Sequence, residues 1–192
     1  MHKSFVFLYP QPEIFNWELR YKNNEFKRRY EIALNHCIDE RYRKKDFTIY
    51  YALLDDGMIS EVIHRRRNDR IICVGMDSST HRTEVNGAYP YPNQDFILNQ
   101  LMPTDLLRVG GFHAFDCCNR LGARAYERGI DVLVDEDLTQ FFSLVFQHKD
   151  FKCDVYPSVN HRKELAPHSD RLWKHFISRR ENKPWYIQNF DF

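Results

Sequence analysis

Apolar side chains along this chain fall into short unbroken runs separated by stretches of helical spacing. Phe5-Val6-Phe7-Leu8, within Ser4 to Tyr9 and stopped by Pro10, reads as a buried strand. Residues 11–23 are polar and aromatic and read as a loop. From Asn24 to about Lys44, Phe26, Tyr30, Ala33, Leu34, Cys37, Ile38 and Tyr42 share one helical face, opposite Lys27, Arg28, Glu31, Asp39 and Arg41. Phe47 to Leu54 is β-branched and aromatic and ends at the turn signal Asp55-Asp56-Gly57. A short helix from Ser60 to Arg67 and a strand from Ile71 to Val74 follow.

Met76 to Pro92 carries serines, an Asn-Gly pair and prolines, and reads as loop; Asn93 to Leu101 is helical. Leu106 to Val109 is apolar, Gly110 and Gly111 break it, Ala114 to Arg128 supports about four helical turns, and Gly129 ends them before a strand over Ile130 to Val134. Leu138 to Gln147 reads as a helix, Cys153 to Tyr156 as an edge strand, and Ser169 to Arg180 as a last helix. The tail from Pro184 to Phe192 is too aromatic to stay solvated, so it packs on the domain or on another copy.

Strands alternating with helices predict an α/β fold, a three-layer sandwich with a mostly parallel central sheet. The 192 residues suit one domain, 1–192, with an aromatic C-terminal extension over 161–192. In such folds ligands sit beyond the carboxyl ends of the strands. The residues placed there are Tyr9 and Gln11, Asp55 and Asp56, Asp77, Ser78 and His81, His113 to Cys117, and Asp135 to Asp137. Cys117 carries the sharpest chemistry. In the first turn of a helix, free N–H groups and the macrodipole would lower the thiol pKa, and the N–H groups around Cys117 and Cys118 would hold an oxyanion. His113, one turn earlier, is placed as base or orienting group, and Asp116 as an N-cap.

Gly111-Phe112-His113-Ala114-Phe115-Asp116-Cys117-Cys118, with the helix and strand over Arg120 to Val134, resembles the nucleophile segment of the isochorismatase-like cysteine hydrolases. There a glycine closes a strand and the nucleophilic cysteine comes six residues later, followed by a small apolar residue. Cys117 falls on the nucleophile and Cys118 on the small position; the likeness spans about residues 94 to 137. The resemblance implies a Rossmann-like fold and a thiol-dependent hydrolase acting on an amide, ester or related carbonyl group of a small metabolite. The chain departs from that pattern at two points. Tyr9-Pro10-Gln11 stands where the family has its aspartate, and no lysine occurs between Lys45 and Lys149. The proton acceptor is therefore His113, His81 or Asp77, or the pocket persists without the chemistry, as a small-ligand-binding or assembly module. Phe112, Cys118, Asp77, His81, Tyr9 and Asp135 are placed as substrate-binding residues around the catalytic Cys117 and His113.

Composition narrows the partners. Lys and Arg total 28 against 27 Asp and Glu, net +1, and acidic residues interleave the basic clusters at 41–45 and 65–67, which argues against a nucleic-acid partner. No Walker loop or GxGxxG is present, and no cofactor is expected. His81, His113, Asp77, Asp135 and Asp137 match no short metal-ligand spacing, so no metal is assigned. No apolar run nears the roughly 18 residues of a membrane span. The opening run is too brief for a signal peptide, and five cysteines form no CxxC pair, so reduced thiols and a cytoplasmic location are expected. The expected partner is a small-molecule ligand or substrate, with the aromatic tail leaving room for a homo-oligomer.

Overall fold

The computed structural model describes residues 1–81, 83–157 and 178–187. Five strands form one wholly parallel sheet: β1 (Lys3–Leu8), β2 (Thr48–Leu53), β3 (Arg70–Cys73), β4 (Leu106–Gly111) and β5 (Asp131–Thr139), in the order β3-β2-β1-β4-β5. The chain winds outward from β1 in one direction, returns, and winds outward in the other. The reversal leaves a crevice between the carboxyl ends of β1 and β4, where a doubly wound sheet binds ligands. Tyr9 follows β1 and Phe112 follows β4, so both stand at that crevice.

Alternation along the central strands supplies the two covered faces. Val6 and Leu8 of β1 join Tyr50, Ala52, Leu107 and Val109 under α4 (Gln94–Leu101) and α5 (Asn119–Glu127). Phe5 and Phe7 join Ile49 and Tyr51 under α1 (Pro12–Glu18), α2 (Asn24–Arg41) and α6 (Phe142–Val145). The three-layer expectation therefore holds. Asn23 caps α2 by accepting from Phe26 N at 2.8 Å, and Asn93 caps α4 by accepting from Phe96 N at 3.1 Å. α3 is a four-residue turn, Ser78–His81, inside the stretch read as loop.

Several local expectations give way to tertiary contacts. Residues 12–18 are helical, with Pro12 at the first turn, where its missing N–H costs nothing. Residues 60–67 form turns instead of a helix. The Asn35 side chain donates to Val62 O at 2.7 Å and accepts from His64 N at 2.7 Å, taking over backbone groups that a helix would have paired internally. β5 continues through Asp135, Glu136 and Asp137 to Thr139, so these carboxylates are buried strand residues and the helix expected over Leu138 to Gln147 is confined to Phe142–Val145. Arg41 pairs with Asp135 at 3.0 Å and with Asp137 at 2.8 Å, and Arg180 pairs with Glu136, which lets the strand bury them. Residues 153–156 lie in bends and belong to no strand.

Of the helix expected over Ser169 to Arg180, only 178–180 are described, and they are helical; the rest lies outside the described residues, as do 188–192 of the tail. Trp185 and Tyr186 do pack on the sheet's helical cover. Trp185 donates to Asn119 Oδ1 at 3.0 Å and sits where a Cβ on Gly122 would stand, 2.8 Å from its ring, while the buried Tyr186 hydroxyl donates to Ala114 O. No helix among the described residues is long and apolar enough to cross a membrane.

Candidate functional site

The crevice between β1 and β4 is a cavity of about 360 Å³, whose lining includes the aromatic side chains of Tyr9, Trp17, Tyr89, Tyr91 and Phe112. Glu13, His81, His113 and Asp116 place polar groups in it. β4 ends in Gly111, whose φ of +102° and lack of a Cβ let the chain pass against Leu8; a Cβ there would lie 2.2 Å from Leu8 O. Phe112 N then donates to Leu8 O at 3.1 Å, and the chain enters a π-helical turn over Ala114–Cys118 that runs into α5.

That turn puts Cys117 one layer behind the lining, with only 2% of its surface exposed. The expectation of a depressed thiol pKa is overturned: burial first, then the Asp116 carboxylate, push it well up, against weaker pulls from Arg120 and a backbone hydrogen bond at His113. The thiol is neutral at rest. Of the assigned oxyanion donors, Cys118 N is already committed, donating to His113 O at 3.1 Å. Cys118 itself is fully buried and its thiol faces Gly110 O at 3.5 Å, so it belongs to the core and not to a substrate surface.

His81 is the imidazole that the fold brings to Cys117. Its Nδ1 lies 2.8 Å from Pro90 O, a carbonyl that only accepts, so Nδ1 carries the proton. Nε2 is then an acceptor, 3.5 Å from Cys117 Sγ. This is a thiol, a base and an orienting group in series, the arrangement that nucleophilic catalysis by a neutral thiol requires. The ring is further fixed between Tyr9 and Tyr91, with centroids 5.8 and 5.4 Å away.

His113 lines the same cavity but points elsewhere. Its Nε2 lies 2.9 Å from Glu18 Oε1 at the end of α1, a contact that the helix over 12–18 makes available. Asp77 caps the α3 turn, accepting from Ser79 N at 2.8 Å and Thr80 N at 3.0 Å, and so positions His81 at that turn's end instead of lining the cavity. Asp135, expected at the crevice, lies elsewhere: it is fully buried in the middle of β5, held by Arg41 and the Tyr42 hydroxyl, and does not line the cavity. Among the described residues no group of three His, Cys, Asp or Glu side chains has the spacing of a metal site.

Tyr9 takes the position that follows β1. Its backbone is in the left-handed region, φ 58°, pinned by a 2.7 Å bond from its N–H to Ala52 O, and its side chain is 1% exposed. Its hydroxyl is buried without a hydrogen-bond partner among the described residues. Asp116 pairs with Arg120 at 3.4 Å, and the Arg120 guanidinium lies 3.5 Å from the centre of the Tyr91 ring, closing the cavity's rim.

Sequence reasoning missed the wall contributed by Glu13, Ile14 and Trp17 of α1. The signal was present: Pro12 followed by Ile14, Phe15 and Leu19 has helical spacing with a proline at the permitted position. Tyr89 and Tyr91 carried none, because only the three-dimensional course of the 76–92 stretch brings them over the crevice.

No protein-family model matches this chain, and no curated protein matches it in sequence. Among solved structures, the crystal structure of N-carbamoylsarcosine amidase from Thermoplasma acidophilum is similar, with a TM-score of 0.45 and 17% identity, covering 72% of this chain and 84% of that one.

Proposed function

We propose that this protein is a thiol-dependent hydrolase of an amide, ester or related carbonyl group of a small molecule, with Cys117 as nucleophile and His81 as general base. The observation that carries the reading is the 3.5 Å approach of Cys117 Sγ to His81 Nε2, with Nδ1 tied to Pro90 O. The likeness of residues 94–137 to the nucleophile segment of isochorismatase-like cysteine hydrolases supports it. So does the position of the pair at the sheet's reversal point.

Because the thiol is neutral, the chemistry starts as general-base catalysis and not from a preformed thiolate. As Sγ bonds to the carbonyl carbon, its proton passes to His81 Nε2. The tetrahedral species collapses with loss of the amine or alcohol, which takes the proton back from His81. Water then attacks the thioester, giving its proton to His81, and the acid leaves as the thiol is restored. Aromatic lining from Trp17, Tyr89, Tyr91 and Phe112 favours a substrate with an apolar or flat face beside its carbonyl.

The burial of Cys117 favours a second reading, a non-catalytic pocket that binds the same kind of small molecule. Alkylation separates the two. Folded protein is treated with iodoacetamide across a pH series and the peptides read by mass spectrometry, with Cys118→Ala to separate the neighbours. Cys117 is expected to react in the folded state, His81→Ala to slow it by about tenfold or more, and His113→Ala to matter far less. Reaction of Cys117 only after unfolding overturns the hydrolase reading and leaves the binding pocket.

A further inference from the structure

Tyr9 is the buried group at this site with unused hydrogen-bonding capacity. Nearly all buried polar side chains in folded proteins find a partner, yet the Tyr9 hydroxyl has none among the described residues, although the residue is 1% exposed. It lines the cavity, its ring neighbours His81, and it packs in the same core cluster as Cys117 and Cys118. The proposed reaction creates an acceptor in this neighbourhood. When Sγ adds to a carbonyl carbon, the π pair moves onto the carbonyl oxygen, which must receive hydrogen bonds to be stabilised.

Other sources of those bonds are scarce. Cys118 N is committed to His113 O, and no lysine or arginine is among the described side chains lining the cavity. We propose that the Tyr9 hydroxyl is a catalytic hydrogen-bond donor to the carbonyl oxygen of the acyl group that Cys117 attacks, an assignment that rests on the thiol-hydrolase reading above. Burial, and then the neighbouring Cys117 and Cys118, hold the phenol well above its ordinary pKa, so it keeps the proton it must donate throughout the physiological range. Tyr9 thus supplies neither the carboxylate base nor the cation of the related cysteine hydrolases. It is a neutral donor matched to a neutral thiol.

The chemistry balances without another reactant. The S–C bond forms, the Sγ proton goes to His81 Nε2, and the oxyanion accepts from Tyr9. On collapse the C=O bond re-forms, Tyr9 is released with its proton, and the bond to the leaving group breaks.

The test compares two reagents at one thiol in wild type and Tyr9→Phe, which removes the hydroxyl and keeps the ring. p-Nitrophenyl acetate acylates through an oxyanion; iodoacetamide alkylates by displacement at a saturated carbon and builds none. Acetylation of Cys117, followed as p-nitrophenolate release and as acetyl-Cys117 by peptide mass spectrometry, is expected to fall about 100-fold in Tyr9→Phe while alkylation keeps its wild-type rate. Because the hydroxyl has no partner among the described residues, the thermal midpoint of Tyr9→Phe is expected at or above wild type, which separates lost chemistry from lost structure. Equal acetylation rates overturn the assignment. So does a parallel fall in both reactions, which would mean that the tyrosine only shapes access. Alkylation of wild-type Cys117 without acetylation overturns the Tyr9 role alone, and failure of wild-type Cys117 to react with either reagent overturns the hydrolase reading and this one with it.

Discussion

At Gly111 the backbone itself is the constraint. The φ of +102° and the space 2.2 Å from Leu8 O exclude any side chain, and the neighbouring contact is main chain, which cannot swing aside. Gly111→Ala is expected to cost about 3 kcal/mol or more in urea unfolding, through strain and overpacking together, and an unchanged midpoint would show that β1 and β4 can part locally. The sequence marks Gly110-Gly111 as the end of a strand, but the reason for the second glycine, close passage against β1, needs the sheet order. Cys117 carries the same lesson with the opposite sign. A cysteine near a helix start suggests a low pKa, yet the π-turn at Ala114–Cys118 rotates the side chain inward, and desolvation outweighs the helix terminus. Chain spacing showed where the thiol lies along the sequence; it carried no information on depth. His81 was visible as one of three candidate bases, and only the Pro90 carbonyl and the 3.5 Å thiol contact single it out.

β5 shows how an element can be misread when its partners are distant in sequence. Asp135-Glu136-Asp137 looks like the acidic opening of a helix, because three consecutive carboxylates seldom enter a core. They enter this one because Arg41, at the end of α2, reaches across to Asp135 and Asp137, and because Tyr42 donates to Asp135. The guanidinium also donates to Cys153 O and Lys152 O, both at 3.0 Å, so one side chain ties α2, β5 and the 152–153 segment together. Burial works against its charge, and Asp135 and Asp137 more than offset this, holding it protonated. Arg41→Met would remove the cation that pairs with the buried Asp135 and Asp137. The expected loss is about 3–5 kcal/mol in denaturant unfolding, and Arg41→Lys should recover only part of it, since an ammonium lacks the forked geometry. A loss under about 1 kcal/mol would mean that water reaches the pair. By contrast the starts of α2 and α4 were legible to about a residue, because amphipathic spacing is a local signal, although α2 ends at Arg41, short of the expected Lys44. Helix α1 escaped because its apolar positions are few and its stability comes from packing Phe15 against Phe7 and Phe112.

Across the whole molecule, alternation of strand and helix gave the layered parallel architecture, whereas strand order, and with it the reversal that builds the crevice, lay in contacts no local pattern encodes. The resulting core is rich in acids that the fold keeps protonated. Cys117 and Cys118 are both pushed above the ordinary thiol value of 9.0, first by burial, and Tyr9, Tyr30, Tyr42 and Tyr156 stand above the phenol value of 10.0 for the same leading reason. For such a group the folded state binds the proton more tightly than the unfolded chain. Its contribution is therefore fully present below the unfolded pKa and is lost as pH rises above it. The two thiols ionise first in the unfolded chain, each removing about 1.4 kcal/mol per pH unit once past about pH 9, with the phenols joining about one unit later. The unfolding free energy measured in urea should thus fall by roughly 2 kcal/mol through these two thiols between about pH 9 and 10, with the phenols adding to the fall. Cys118→Ala removes one of these groups from the interior at little change in volume, so its loss over the same interval should be about 1 kcal/mol smaller. If the variant and the wild type lose stability in parallel, the alkaline limit of this fold is set by its tyrosines and not by the thiols beneath the crevice.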